Sequence, residues 1–215
     1  MPSKYTKYIH VAWAGIAYIV LSLFTHYIIF PESPPKVDDF PRQGTTITNA
    51  IAGETITFVK DRHTGDPGLV EIEVGLNPKS SIPIMHTHSK MSEVFTALQG
   101  KTSVLENDRV HHLEVGQSVE IKPGIPHLPL NTSDAHSIIK VSMQPVGVFD
   151  LCLVNIHGFL SQPPQQTWLT TQFQLARYAW FCDVYRSDIP VWLQKAGLFI
   201  SIPTLRALGF KAWKE

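Results

Sequence analysis

Three histidines and one glutamate stand at spacings that could place them around a single metal ion. His86 and His88 flank Thr87 in a segment that the neighbouring residues predict to be a β-strand. Residues two apart in a strand point to the same face, so both imidazoles can enter one cavity. Glu93 follows after a short turn, and His127 comes from a further strand after a Pro-Gly turn. The spacing therefore predicts a metal site with nitrogen and oxygen ligands.

This ligand set indicates a class of metal. Three imidazoles and a carboxylate suit Fe(II), Mn(II), Ni(II), Cu(II) or Zn(II), and they contain too much nitrogen for a dedicated calcium or magnesium site. Four protein ligands leave one or two positions open on a metal that prefers five or six, as catalysis requires. The alternative is a metal-free pocket, which would bury these polar groups at a high cost in free energy. The metal site is the favoured interpretation.

The middle of the chain has the pattern of a small β-barrel. Val70, Ile72 and Val74 alternate with acidic residues, as in a half-buried strand. Short strands at even spacing, separated by Gly, Pro, Asn and Asp, are typical of a barrel or jelly roll. The predicted strands are Thr45–Ile51, Thr55–Lys60, Val70–Val74, Ile82–His88, Glu93–Leu98, Thr102–Glu106, Val110–Leu113, Ser118–Ile121 and Ser137–Met143.

At these residues the chain resembles the cupin superfamily. Its first motif is matched by the His86 and His88 pair, by Glu93 and by the closing Gly100, although ten residues, not five, precede His86 after the opening glycine. That longer gap predicts a longer or bulged strand into the site. The second motif is matched at four positions: Gly116, Gly124, His127 and Asn131. It departs at one position, where Lys122 replaces the proline of the motif. The resemblance covers about Thr45 to Gln144.

The resemblance implies a mainly β fold, a cupin jelly-roll barrel that holds one divalent transition metal. The implied ligands are His86, His88, Glu93 and His127, with Fe(II) as the first choice of metal and with Glu93 and His127 also catalytic. An anchor, a compact cupin and an aromatic tail together are similar to fungal membrane-anchored cupin-domain oxidoreductases of aromatic polyketide and salicylaldehyde-type pathways. The implied function is a metal-dependent oxidoreductase of the oxygenase type, active in secondary-metabolite biosynthesis. Many cupins are dimers, so a homodimer is one expected assembly.

Two other functions fit the same ligand set. A metal acting as a Lewis acid would support isomerisation, cyclisation or dehydration without redox change. A cupin can also bind a small molecule without turning it over. In either case the apolar residues Ile84, Phe95, Ala97 and Pro129, which share strand faces with the ligands, predict a cavity for a small apolar or aromatic molecule. The alternative is that these four only fill the barrel.

The N-terminal segment has the composition of a membrane span. Tyr8 to Phe30 contains 23 residues without Lys, Arg, Asp or Glu, and about 20 helical residues cross the hydrocarbon core. A single-pass signal-anchor is the preferred interpretation over a cleavable signal peptide or a buried core helix. The flanking charges favour a cytosolic N-terminus only weakly. The sequon at Asn131 would matter only in that orientation.

The expected organisation is an anchor over residues 1–30, a Pro-rich linker over 31–43, a cupin barrel over 44–147 and a helical tail over 148–215. The predicted tail helices are Phe149–Leu160, Thr170–Arg186 and Val191–Phe210, the last interrupted at Pro203. The tail docks on the barrel or contacts the membrane, and its His157 is assigned no role. The formal net charge of zero argues against nucleic acid as a binding partner. Two cysteines without a CxxC make a disulfide scaffold unexpected.

Overall fold

The computed structural model describes residues 4–49, 53–82, 84–161 and 167–213. Within them lie four α-helices, α1 (Lys4–Phe24), α2 (Phe149–Leu160), α3 (Trp168–Cys182) and α4 (Val191–Ala207). A π-helical turn, Thr25–Ile29, extends α1, and a 3₁₀ turn covers Val37–Asp39. The strands in this part of the chain are β1 (Thr46–Asn49), β2 (Glu54–Lys60), β3 (Val70–Leu76), β4 (His86–His88), β5 (Ser92–Gln99), β6 (Thr102–Glu106), β7 (Arg109–Leu113), β8 (Ser118–Ile121), β9 (His127–Leu130), β10 (Ser137–Gln144) and β11 (Val184–Arg186).

The strands form two antiparallel sheets that face each other, as predicted for a jelly-roll barrel. One sheet has the order β1-β2-β3-β10-β5-β8 and the other β11-β4-β9-β6-β7. Buried and half-buried residues alternate along β3, from Val70 to Leu76, and along β10, from Ser137 onward. This period of two places one face of each strand in the core. The mainly β cupin fold with flanking helices is confirmed.

Inward-facing side chains of the six-stranded sheet lie in layers across neighbouring strands. Phe95 pairs with Val141, which pairs with Ile72. All three are buried, and the layers above and below them repeat the arrangement. The strand register thus fixes which side chains share a level of the barrel.

Two strand predictions need correction. A strand was predicted over Ile82–His88, but β4 begins only at His86. Ile84 lies at a bend, and Pro83 lies outside the described residues. The long gap before His86 is therefore occupied by a loop, not by a longer or bulged strand. The prediction failed because the paired length of β4 is set by its partners β9 and β11, which local sequence does not reveal.

The tail differs from the predicted helices at two points. The helix predicted over Thr170–Arg186 ends at Cys182, because Asp183 adopts a left-handed backbone conformation. The next residues form β11, which pairs with β4 of the barrel. The helix predicted to be interrupted at Pro203 continues to Ala207. By contrast, α2 has the predicted bounds.

A disulfide joins Cys152 of α2 to Cys182 at the end of α3. It links the two helices next to the point where the chain returns to the barrel as β11. Sequence reasoning did not predict it, since two cysteines 30 residues apart carry no local sign of pairing. The bond joins α2 to the end of α3, directly before the residues that form β11.

The N-terminal helix is long and apolar enough to cross a membrane. The apolar stretch runs from Tyr8 to Ile29 and is almost entirely exposed. Its C-terminal half packs against α4: the Tyr18 and Thr204 hydroxyls lie 3.1 Å apart, and the Tyr27 hydroxyl donates to the Phe199 carbonyl at 3.1 Å. The helix is thereby connected to the tail.

Candidate metal centre

The four sequence-predicted residues lie together at one end of the barrel. His86 and His88 come from β4, Glu93 from β5 and His127 from the first residue of β9. His86 and His127 are direct partners across neighbouring strands. One nitrogen or oxygen atom from each of the four lies within 4.8 Å of the others. The group could therefore hold a single metal ion.

Hydrogen bonds to backbone carbonyls orient all three imidazoles. The Nδ1 atoms of His86, His88 and His127 lie 3.0, 2.9 and 3.0 Å from the carbonyl oxygens of residues 84, 183 and 125. A carbonyl only accepts, so each Nδ1 carries the proton, and each Nε2 presents a lone pair. Metal-binding histidines are usually oriented by this kind of bond.

The lone pairs converge on an electron-rich point. The Glu93 carboxylate oxygen Oε2 lies 2.6 Å from His127 Nε2 and 3.7 Å from His88 Nε2. His88 Nε2 is buried and has no hydrogen-bond partner among the described residues. Buried polar atoms are normally paired. A cation at this point would satisfy the atom and separate the facing acceptors, so the residues present fit a divalent metal.

The surroundings set the charge states of the cluster. Burial lowers the pKa of His86 to about 3, with His127 and His88 adding to the effect, and burial also lowers the pKa of His88. Burial would raise the pKa of Glu93, but the adjacent His88 and the hydrogen bond with His127 outweigh it and lower the pKa to about 2.

The pKa of His127 moves in the opposite direction. Burial would lower it, but the hydrogen bond to Glu93 outweighs burial and raises it. Ionised Glu93 beside neutral His86 and His88 is the protonation state in which such residues bind metals.

An apolar cavity of about 520 Å³ begins at this cluster. Ile84, Phe95 and Pro129 line it, as their strand positions predicted. Ala97 is buried in the core but is not part of the cavity wall. The cavity continues along the inner face of the six-stranded sheet. Its remaining wall comes from the helical tail, so the tail docks on the barrel.

The tail brings residues that sequence reasoning missed. Arg186 of β11 lines the cavity. Its guanidinium pairs with Asp188. Asp183 gives its carbonyl to His88, and its carboxylate accepts from the Ser89 hydroxyl and from the Lys90 backbone N–H. No local motif marks these residues, because the pairing of β11 with β4 creates their positions.

A second buried pair lies on the same cavity. His157 Nε2 is 2.8 Å from Glu54 Oε1, and both residues belong to the cavity wall. The sequence contains only a weak sign of this pair, which is that Glu54, a charged residue, shares the inward face of β2 with Ile56 and Phe58. His157 lies on the face of α2 that includes Leu153.

Asn131, matched in the second motif, is a structural residue. Its side-chain amide donates to the carbonyls of Leu76, Asn77 and Ala135, and its oxygen accepts from Ser133. Asn131 is buried. In the folded protein this sequon therefore has no room for a glycan.

The chain is similar to one family model and to several solved structures. Residues 72–141 match the family model of the cupin domain. Among solved structures, the chain is similar to a sugar phosphate isomerase of the cupin superfamily from Silicibacter pomeroyi, with 18% identity, coverage of 54% of this chain and 77% of the other, and a TM-score of 0.39. KdgF from Halomonas sp. has 14% identity, coverage of 49% and 93%, and a TM-score of 0.41.

An RmlC-like cupin from Shewanella frigidimarina is also similar, with 15% identity, coverage of 54% and 92%, and a TM-score of 0.39. No curated protein matches the chain by sequence. The segment matched by the family model contains all four clustered residues.

Proposed function

From the match of residues 72–141 to the family model of the cupin domain, we propose that the protein is a membrane-anchored, metal-dependent oxidoreductase of the oxygenase type. Its substrate is a small apolar or aromatic metabolite, in keeping with secondary-metabolite biosynthesis. One observation carries the proposal: three imidazole nitrogens and a carboxylate converge at the end of an apolar cavity. Buried, oriented ligands beside an apolar cavity provide a metal with a dry substrate site.

His86, His88, Glu93 and His127 would hold the metal, with Fe(II) as the first choice. When bound, iron supplies the electron chemistry and a binding position for O2. The protein positions the substrate against the cluster through Ile84, Phe95 and Pro129, and it excludes water. Phe149 covers His88 edge-on, with ring centroids 4.8 Å apart.

Glu93 and His127 are the proposed proton-transfer groups. The 2.6 Å separation of His127 Nε2 and Glu93 Oε2 keeps the two groups adjacent, so a proton can pass between them when one of them is not bound to the metal. Glu93 lines the cavity, so its carboxylate is within reach of a bound molecule. The hydrogen bond from His127 Nδ1 to the Ile125 carbonyl fixes the orientation of the ring. These proposed roles go beyond metal ligation.

The location of the protein follows from two features. The exposed apolar helix would anchor the chain in a membrane. The Cys152–Cys182 disulfide supports a barrel on the oxidising side of that membrane, since disulfides persist in such compartments. This orientation leaves the N-terminus in the cytosol. It agrees with the charge balance at the two ends of the helix.

Oxygen consumption by the full chain tests the proposal. The chain in lipid nanodiscs is stripped of metal and reloaded with iron, manganese, nickel, copper or zinc, and O2 uptake is recorded with a panel of phenols, aromatic aldehydes and polycyclic ketones. We expect uptake with iron, its loss in Glu93→Gln, and no change in His112→Gln, an exposed histidine of β7. Turnover with zinc or manganese but no uptake would favour isomerisation, cyclisation or dehydration. Stable binding without turnover would favour a non-catalytic cupin.

A further inference from the structure

The cavity wall has two buried carboxylates, Glu93 and Glu54, at positions far apart along the barrel. Glu93 stands in the layer of Met143 and Val70, as the pairing of β5, β10 and β3 shows. Glu54 pairs with Leu76, six residues further along β3. At about 3.3 Å per residue, the backbone positions of Glu93 and Glu54 are separated by roughly 20 Å along the strand direction. The cavity runs between them.

The wall between these two points is apolar on the barrel side. Ile56, Ile72, Val74, Phe95 and Val141 line it. Polar groups of the tail also reach the wall, but most of them bind neighbouring atoms. The Gln194 amide bonds to the backbone of β11, and the Ser201 hydroxyl donates to the Leu198 carbonyl. A ligand in this cavity therefore meets apolar surface between two polar ends.

The hydrogen bonds of His157 determine where its protons are. Its Nδ1 lies 2.9 Å from the Leu153 carbonyl, which only accepts, so Nδ1 carries a proton. Its Nε2 lies 2.8 Å from Glu54 Oε1, and a contact of that length between two acceptors needs one proton between them. Whether this proton belongs to the imidazole or to the carboxyl, Glu54 Oε2 carries none. That oxygen can only accept a hydrogen bond.

We propose that Glu54 is a substrate-binding residue that accepts a hydrogen bond from a hydroxyl group, at the end of the cavity remote from the metal centre. The inference rests on the proposed function, because it names the class of substrate for that same cavity. The substrate is an elongated, mainly apolar molecule that carries a phenol or alcohol at the end opposite to the reacting one. An ether or a carbonyl at that position offers no donor to Glu54 and is rejected.

His157 acts through Glu54 and is a positioning residue. Its Nδ1 is fixed by α2 and its Nε2 holds Oε1, so the carboxylate keeps one orientation toward the cavity. A purely structural role is the competing explanation. In that case the pair only ties α2 to β2, and ligands with and without a hydroxyl bind equally well.

Binding of matched probes separates the two explanations. The full chain is placed in nanodiscs and loaded with zinc, which is redox-inert, and empty nanodiscs serve as the blank. The probes are 4-phenylphenol, its methyl ether and biphenyl, and equilibrium dialysis gives their dissociation constants. We expect the phenol to bind about 10- to 100-fold more tightly than the ether, the range of a hydrogen bond to a charged group. Equal affinities would overturn the inference.

Two variants locate the effect. Glu54→Leu/His157→Leu removes both partners, which a buried pair tolerates better than the loss of one. We expect it to lose the preference for the phenol and to keep its affinity for biphenyl. The control Glu120→Leu, on the exposed face of β8, keeps the preference. If the double variant does not fold, Glu54→Gln should reduce the preference, because a neutral amide oxygen is a weaker acceptor. An unchanged preference in either variant would contradict the assignment.

Metal analysis of the same samples keeps this test distinct from that of the proposed function. Glu93→Gln should lose metal and retain the preference for the phenol, since the two polar ends are independent. Wild-type protein that prefers the phenol but binds no metal would overturn only the proposed function. Wild-type protein that binds metal but does not distinguish phenol from ether would overturn only the role of Glu54.

Discussion

Replacing Asp183 with alanine should weaken metal binding although this residue is not a proposed ligand. Asp183 lies between α3 and β11, and its carbonyl accepts the Nδ1–H of His88 at 2.9 Å. Its carboxylate is held in place by the Ser89 hydroxyl and, at 2.8 Å, by the Lys90 backbone N–H. The side chain therefore fixes the carbonyl that orients His88.

The expected loss can be estimated from these contacts. Alanine removes both carboxylate hydrogen bonds, and it also disfavours the left-handed backbone at this residue, φ 49°, by about 1–2 kcal/mol. His88 then loses a fixed partner for Nδ1. Substitution of such outer partners of a metal ligand typically costs 10- to 100-fold in metal affinity. That range corresponds to about 1.4–2.8 kcal/mol.

Competition with a chelator measures the effect. The zinc dissociation constant is determined for wild-type protein, Asp183→Ala and Asp183→Asn. Asparagine tolerates the left-handed conformation and keeps one acceptor, so an intermediate loss is expected. Asp134→Ala, at an exposed residue, should bind like wild type. If Asp183→Ala binds zinc as tightly as wild type, the argument that the tail positions His88 is wrong.

Three further predictions concern stability. Arg62→Met should destabilise the protein by about 3–5 kcal/mol, because it leaves the carboxylate of Asp150 buried and unpaired, and Arg42→Met, at an exposed ion pair, should cost at most about 1 kcal/mol. Both are measured by urea unfolding. Replacing the two cysteines with alanine should lower the unfolding free energy by about 3–4 kcal/mol, from the 30-residue separation that the disulfide closes. The hydrogen bond from Ser142 lowers the pKa of Glu71 below its ordinary value of 4.5, so its stabilisation is fully present above that pH and is lost as pH falls through the folded-state pKa. Urea midpoints between pH 6 and 3 should therefore fall less steeply for Glu71→Gln than for wild type.

Each of these has a contradicting result. Equal destabilisation by the two arginine variants would mean that burial of the carboxylate is unimportant. Free thiols in wild-type protein prepared without reductant would exclude the disulfide. A Glu71→Gln midpoint that runs parallel to wild type over the whole pH range would show that this carboxyl does not stabilise the fold.

Local sequence was sufficient for most of the strands and for the grouping of the four side chains, but not for the start of β4. Strand period and residue spacing are local properties, so they alone place His86 and His88 on one face of a strand and Glu93 beside them. The tail was harder. Pairing of β11 with β4 depends on contacts between residues about 95 positions apart, such as His88 with Asp183, and no periodicity encodes them.

The same reason explains the second polar pair. Glu54 and His157 are 103 positions apart in the sequence. Taken alone, Glu54 is simply a residue of a strand and His157 a residue of a helix. Only the packing of α2 on β2 and the shared cavity give them a joint role. The disulfide is a further contact of this kind. Predicting it would have needed the arrangement of α2 and α3.

Metal content of the full chain tests the central claim most directly. The protein is purified without chelators and under argon, and its metals are determined by mass spectrometry together with a His86→Gln/His88→Gln variant and the exposed-site control His112→Gln. We predict one divalent transition metal per wild-type and control chain and its loss from the double variant. A folded wild-type protein that holds no stoichiometric metal, even after incubation with iron, manganese, nickel, copper and zinc, would contradict the account.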